Sequence, residues 1–272
     1  MEALTDEIAG PRCVACDHES SRRDPFYYDW LGREFWVYRC PACTHQFLWP
    51  HVTPEDQRLI FDDQYFAHGG DWLQGPHRGE AYGTAEKLLR KEARYILKLL
   101  PIGYGRRLLD VGCAGGVLLD EARSAGFDVE GVEINPAMAR QARLRFGLTV
   151  TTGRVEDVTR VPDMPLFDVV TLCDVLEHLP RPLATLRKLR HWMPAGGTLL
   201  IRGPLHNSAM AQAKEQARRL FRVVKRLPKY PLDANWFNPA SLKAMLQAAG
   251  FGRPDWCNRT PDFANAVAVA GP

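Results

Sequence analysis

The chain reads as an α/β protein built on a doubly wound, mostly parallel sheet, with a small ribbon at the N-terminal side. Three observations predict this. Residues 107–126 give a short apolar run, a small-residue turn and an apolar helix. Strand-like and helix-like stretches then alternate as far as residue 270, the pattern of a parallel sheet covered on both faces. Ahead of all this stand two Cys-x-x-Cys pairs, Cys13/Cys16 and Cys40/Cys43.

The first unit is Arg107-Leu-Leu-Asp-Val111, a strand carrying one acid, Asp110. It runs into a turn from Gly112 to Gly116 (Gly112, Cys113, Ala114, Gly115, Gly116) and then a helix, Val117 to Ala125, that closes at Gly126. Glycine lets a backbone approach a ligand closely, and a helix start offers unpaired N–H groups. A second strand, Val129–Val132, ends at Glu133, about 20 residues after the turn begins, where an acid can accept both hydroxyls of a ribose. Turn and acid together point to an adenosine-containing cofactor. The spacing Gly112, Gly115, Gly116 does not fit the G-x-G-x-x-G turn of dinucleotide sites.

Further along, Phe167–Cys173 reads as a fourth strand leading into Asp174-Val-Leu-Glu-His-Leu-Pro-Arg-Pro182. A helix over 183–193 and the turn Pro194-Ala-Gly-Gly197 lead to a fifth strand, Thr198–Arg202. Asn238 to Phe251 reads as a late helix ending in Gly-Phe, and Ala264–Ala270 as a final antiparallel strand.

These motifs, in this order, resemble class I S-adenosylmethionine (SAM)-dependent methyltransferases from about Arg107 to Val269. The family's D-x-G-x-G-x-G turn is matched with Ala114 in place of the middle glycine, a change tolerated where φ is negative. The resemblance implies a seven-stranded sheet and a SAM site drawn from Asp110, Gly112, Cys113, Ala114, Gly115, Gly116, Glu133, Ile134, Asp174 and Tyr65. Many relatives place an acid after the glycine that follows strand three, where it meets the adenine amino group. Here Arg154 follows Gly153, and Glu156 or Asp157 is left to take that role.

The reaction is an in-line displacement, so the protein supplies alignment and, for a hydroxyl acceptor, a base. Two side chains are candidates by motif position. His178 lies at the cofactor mouth, and an imidazole is partly neutral at pH 7. Asp233 stands where relatives often have His, in Asp233-Ala-Asn-Trp-Phe237, with Asn235 and Trp236 expected to shape the pocket. Asp174, Glu177 and His178 also resemble the acid-x-x-Glu-His metal ligands of some ubiquinone-pathway and RNA-end O-methyltransferases, although no fourth ligand is identifiable.

The two Cys pairs enclose two strand-like stretches, Pro25–Trp30 and Glu34–Arg39, turning at Gly32. That spacing suits a four-thiolate structural zinc site on Cys13, Cys16, Cys40 and Cys43, with His18 and His45 as neighbours. A ribbon this small has too little core to fold alone, so zinc would supply much of its folding free energy. It resembles the N-terminal zinc-binding part of bacterial methyltransferases of the type 23-like, sugar and natural-product group, where a Tyr-Phe element follows, as does Phe61-Asp-Asp-Gln-Tyr-Phe66 here.

The division that results is a zinc ribbon at 1–50, a linker and helical cover at 51–100, and a catalytic domain at 101–272 with a helical insertion at about 205–235. At 272 residues and 46% apolar, the chain can bury one full core plus such a satellite. Ala67 to Gly83 is Gly- and His-rich and reads as a linker or cover before a helix from Thr84 to Leu100. Within the insertion, over Met210 to Tyr230, Lys214, Arg218, Arg219, Arg222, Lys225, Arg226 and Lys229 stand against Glu215 alone, with Leu220, Phe221, Val224 and Leu227 at helical spacing. That basic helix is either a solvated face or a contact for an anionic acceptor, a membrane surface or RNA.

No apolar stretch reaches 18 residues, and the N-terminus is acidic and polar, which argues against a membrane span and a secretory signal. The odd count of seven cysteines suits metal binding in a reducing, cytoplasmic setting. The expected partner is a small, anionic or sugar-like substrate rather than nucleic acid, with no stable membrane insertion and the oligomeric state left open. The expected function is transfer of a methyl group to a hydroxyl of a sugar, glycan precursor or related metabolite. C-methylation of a nucleotide-linked keto sugar, rRNA or tRNA methylation, and a non-catalytic SAM-binding adaptor stay open as alternatives.

Overall fold

A computed structural model describes residues 11–19, 21–62, 86–103, 105–160, 164–205, 232–260 and 263–272. Tyr65, the linker before residue 84 and the basic stretch 210–230 lie outside the described residues.

The ribbon comes first. Strands β1 (Arg22–Trp30) and β2 (Arg33–Arg39) form a hairpin around Leu31 and Gly32, both in the left-handed region, and β3 (Gln46–Trp49) pairs antiparallel with β2. Alternation puts Phe35 and Val37 of β2 inside, where they pack with Tyr28, Leu48, Val52 and Ile60. A short helix follows, α1 (Pro54–Ile60). Thr53 and Asp56 close a reciprocal capping box at its start, and Arg33 binds Asp56 at 2.8 Å.

Helix α2 (Glu86–Leu97) leads to the large sheet. Its strands are β4 (Arg107–Val111), β5 (Asp128–Glu133), β6 (Thr149–Thr152), β7 (Val169–Cys173) and β8 (Thr198–Pro204), all parallel, with β10 (Asp255–Thr260) and β11 (Phe263–Val269) antiparallel at one edge. In space the order is β10-β11-β8-β7-β4-β5-β6. This is the seven-stranded mixed sheet that the sequence resemblance implies. Four of the five β4 residues are buried, as a central strand covered on both faces requires.

The crossovers are α3 (Val117–Ser124), α4 (Pro136–Phe146), α5 (Pro182–Arg190) and α6 (Pro239–Ala248). Asn135 caps α4 through the Met138 N–H at 2.9 Å, and Asn238 and Ser241 form a capping box on α6. Chain order reverses on either side of β4, whose neighbours are β5 and β7. A doubly wound sheet opens its ligand crevice at the carboxyl ends of the strands beside such a switch.

One short strand of the ribbon comes from far along the chain. β9 (Asn235–Trp236) arises after the insertion, yet it pairs antiparallel with β3 as the fourth strand of the ribbon. Trp236 fills the ribbon core beside Tyr28. The cysteine end of the ribbon packs in turn into the main core, with Cys13, Ala15, Cys40, Cys43 and Phe47 in one cluster with Leu186, Leu242 and Met245. Among the described residues, no helix is long and apolar enough to cross a membrane.

Candidate active site

A cavity of about 240 Å³ opens at the carboxyl ends of β4, β5 and β7. Its floor is the turn after β4. Gly112, Ala114 and Gly116 all have positive φ (+75°, +46° and +82°), so the chain alternates through the left-handed region. Gly112 has a second reason to be glycine, because a Cβ there would sit 2.4 Å from Val175. Ala114 departs from the sequence expectation. Its φ is positive, so alanine is held in a conformation that glycine would adopt at less cost.

The turn is held by the acid at the end of β5. Glu133 is buried and accepts the Ala114 N–H and the Asn135 N–H, each at 2.7 Å. Burial raises its pKa, while these backbone donors pull the other way. Asp110, also buried, accepts the Thr171 hydroxyl at 2.6 Å, and burial followed by the nearby Glu133 charge lifts its pKa to about 7. Both acids line the cavity, as do Gly112, Cys113, Ala114, Ile134, Glu156 and Asp174. Gly115 and Gly116 are buried beneath it, with Gly116 packed against Leu148 and Ala142 where the helix begins.

Other wall residues were not legible as site residues. Glu92 and Ala93 of α2, Gln57 and Phe61 after the ribbon, Arg154 and Arg202 all face the cavity. Arg202 donates to Asp174 at 2.6 Å and also binds Glu92, which ties α2 to β8 in the cavity wall. Burial lowers its pKa to about 10. Asp174 sits at φ +54° beside this pair. The many acids in the wall suit a positively charged ligand better than an anionic one.

His178 is buried at the cavity edge, on a single 3₁₀ turn, Leu176–His178. Its Nδ1 lies 3.0 Å from the carbonyl oxygen of Leu232 and 3.5 Å from Oδ1 of Asp233. A carbonyl only accepts, so Nδ1 carries the proton and Nε2 of the neutral ring carries the lone pair. The two candidate bases are therefore neighbours. Asp233 stands on the Nδ1 side of the ring and does not line the cavity.

The same turn separates the acid-x-x-Glu-His residues. Glu177 lies against Gly203 in a second, much smaller cavity lined by Leu176, Phe237 and Ala264. Asp174 and His178 line the large one. Asn235 and Trp236 do not shape the large cavity either. Both are buried behind it.

At the ribbon tip, the Sγ atoms of Cys13, Cys16, Cys40 and Cys43 lie within 4.8 Å of one another, the only such group of three or more His, Cys, Asp or Glu among the described residues. The Cys13–Cys43 and Cys16–Cys40 sulfur separations are 3.6 and 3.7 Å. Tetrahedral zinc with bonds of about 2.3 Å sets its sulfurs roughly 3.8 Å apart, so the set fits that ion. Both knuckles fold alike. Asp17 and Thr44 take φ +59° and donate to the carbonyls of Cys13 and Cys40, at 3.0 Å each. His18 is exposed, and His45 is fully buried and engaged elsewhere.

Comparison with known proteins agrees with this geometry. A family model described as a methyltransferase domain matches residues 84–252. The chain is 31% identical over 199 residues to the ubiquinone biosynthesis O-methyltransferase of Xylella fastidiosa (strain 9a5c), covering 71% of this chain and 78% of that one. It is likewise 31% identical over 158 residues to the enzyme of that name from Aeromonas salmonicida (strain A449), a match that spans 54% of this chain and 63% of the relative. Among solved structures, the magnesium protoporphyrin IX methyltransferase from Synechocystis PCC 6803 with bound SAH superposes with a TM-score of 0.53. It has 16% identity and covers 76% of this chain and 97% of its own, a likeness of fold.

Proposed function

We propose that this chain, which belongs to the class I SAM-dependent methyltransferase family, transfers the methyl group of SAM to a hydroxyl of a small acceptor, with His178 as the base. One observation carries the reading: His178 lines the edge of the cavity that would hold the cofactor, and because its Nδ1 donates to Leu232, Nε2 is the ring atom left to accept a proton.

Bound SAM supplies an electrophilic methyl on a sulfonium. In this reading Glu133 would take the ribose and Asp110 the positive charge of the ligand, with Asp174, held by Arg202, and Glu156 in the same cavity wall. Arg202 and Glu92 hold α2 against β8 in the cavity wall and would limit water around the reacting atoms. His178 accepts the hydroxyl proton as the methyl moves, and Asp233 stabilises the imidazolium that forms.

The relatives named for ubiquinone biosynthesis are O-methyltransferases, which favours oxygen over carbon as the acceptor atom. Within hydroxyl acceptors, a sugar or glycan precursor is one candidate. The acid-rich wall favours a neutral acceptor over an anionic one. We also assign one structural zinc to the four ribbon cysteines, and a reducing cytoplasmic setting that suits seven cysteines outside any disulfide.

Calorimetry with SAM and SAH, followed by methyl transfer from labelled SAM to a panel of hydroxyl, carbon-acid and RNA acceptors, tests the assignment. Transfer to a hydroxyl compound that is lost in His178→Ala is the expected result. Absence of SAM binding, or transfer only to RNA or carbon, would refute it.

A further inference from the structure

We infer that Asn235 is a positioning residue that fastens the turn carrying His178 to the second cysteine knuckle, so that the ribbon sets the orientation of the base. The inference rests on the proposed role of His178 only for its catalytic meaning. The tether itself stands on geometry.

Asn235 is 1% exposed and His45 is fully buried. The Asn235 amide Nδ2 lies between two carbonyl oxygens of the base-bearing turn, 2.7 Å from Leu179 and 3.3 Å from Glu177. Carbonyls only accept, so this end must be the NH₂ group, and Oδ1 must be the atom that faces His45 Nε2 at 3.1 Å. His45 therefore donates through Nε2. Every polar atom of the Asn235 side chain is committed, one side to the ribbon and the other to the residues flanking His178.

Backbone contacts run the same way. The Ala234 N–H donates to the Glu177 carbonyl at 2.8 Å, the Leu48 N–H donates to the Ala234 carbonyl at 2.9 Å, and Phe47 pairs with Asn235 across β3 and β9. On the ribbon side, His45 sits two residues past Cys43, and its carbonyl accepts the Cys40 N–H at 2.9 Å. The His45 ring packs against Phe237 with centroids 4.7 Å apart, and Thr44 is bound by Asn238 at 3.0 Å. The segment from 232 to 238 is thus pinned to the knuckle at three residues, and its first two, Leu232 and Asp233, are those that meet His178 Nδ1.

Four thiolates gathered on one ion would keep this knuckle rigid at no expense of hydrophobic core. A turn of three residues has no rigidity of its own, and a base must be held within a fraction of an ångström. An asparagine that donates to the turn and accepts from the knuckle supplies that link.

The test reads the imidazole directly and needs no acceptor. In full-length, zinc-loaded protein with ¹⁵N-labelled histidine, the His178 ring (identified by its loss in His178→Gln) should show Nδ1 protonated and Nε2 of the pyridine type. Asn235→Asp keeps the acceptor for His45 but loses the N–H groups facing Leu179 and Glu177. It should shift the His178 signals toward the average of both tautomers, with zinc content unchanged and SAM affinity within about twofold of wild type. His45→Phe should do the same from the ribbon side, and His45→Gln, which restores an N–H donor, should return the wild-type signature. Unchanged His178 signals in both Asn235→Asp and His45→Phe would overturn the tether. So would failure of His45→Gln to differ from His45→Phe. If Asn235→Asp does not fold, the His45 pair decides alone. Normal turnover by His178→Ala would refute the base and leave the tether to be judged on these signals.

Discussion

Glu133 at the end of β5 accepts the backbone N–H of Ala114, in the turn after β4, at 2.7 Å. The acid that the sequence marks as a ribose ligand is thus also the clamp that holds the cofactor turn in place before any ligand arrives. Glu133→Ala should weaken SAM binding by about 1.5–3 kcal/mol, the range for hydrogen bonds to a charged group. Glu133→Gln keeps an acceptor for one N–H and should lose less. Calorimetric affinities for the two variants check this, and equal losses would mean that the clamp contributes nothing separable from the charge.

The same turn predicts a stabilising change. A residue with a Cβ in the left-handed region costs about 1–2 kcal/mol, and glycine gives back part of that through its freer unfolded state. Ala114→Gly should therefore gain about 0.5–1 kcal/mol, which for a domain of this size is a rise in Tm of roughly 1–3 °C. A fall in Tm on thermal scanning would contradict the strain at Ala114.

Asp110 makes binding depend on pH. Its pKa is pushed up to about 7 by burial and by the Glu133 charge. A ligand carrying a sulfonium and an ammonium favours the ionised carboxylate, so SAM binding should release up to about half a proton at pH 7 and approach one proton below it. Affinity should fall as pH drops through about 7, by at most tenfold per unit. In the unliganded protein the sign reverses. A raised acid pKa means the fold binds the proton more tightly than the unfolded chain, so stability from this group declines as pH rises from the ordinary value of 3.8 toward about 7. Calorimetry in buffers of different ionisation enthalpy reads the released proton directly, and Asp110→Asn should abolish it.

At the acceptor side, His178→Ala should lower turnover by roughly 10²–10⁴-fold with SAM affinity little changed, the usual worth of a general base. Asp233→Asn should cost less, because it removes the charge behind the ring and leaves the Leu232 carbonyl at 3.0 Å. A larger loss in Asp233→Asn than in His178→Ala would exchange their roles.

For the ribbon, elemental analysis of protein purified without chelator should give one zinc per chain, and Cys40→Ser/Cys43→Ser should give none. Zinc bound by four thiolates contributes on the order of 10 kcal/mol to a small domain. Its loss should erase much of the near-ultraviolet circular dichroism of Trp30, Trp36 and Trp49 while the large sheet still melts cooperatively. Full zinc in the double variant would place the ion elsewhere.

Much of this architecture is legible in the chain because its signals are local. Strand, small-residue turn, helix and Glu133 all fall within a few dozen residues, and Cys-x-x-Cys pairs announce themselves. What is not legible depends on which residues meet across the fold. Arg202 and Glu92 lie 110 positions apart, and neither belongs to a motif. Asp174, Glu177 and His178 look like one ligand set on paper, but a 3₁₀ turn sends Glu177 to the opposite side. Asn235 and Trp236 read as pocket residues beside Asp233, yet a two-residue strand has no periodicity to reveal that Trp236 fills the ribbon core and Asn235 links the ribbon to the turn of His178. The positive φ of Ala114 has no local mark either, since alanine is ordinarily right-handed.

The pairing of β3 with β9 joins segments about 190 residues apart in the chain. During synthesis the ribbon hairpin leaves the ribosome about 190 residues before its fourth strand does. Until then β3 presents an open edge of backbone donors and acceptors beside the apolar residues Phe47 and Leu48, a template for pairing with another nascent chain. Slow translation or a premature stop after the fifth strand of the large sheet should therefore yield insoluble product even though the early β–α units are complete. Supplying residues 232–238 as a separate extended peptide should suppress that aggregation.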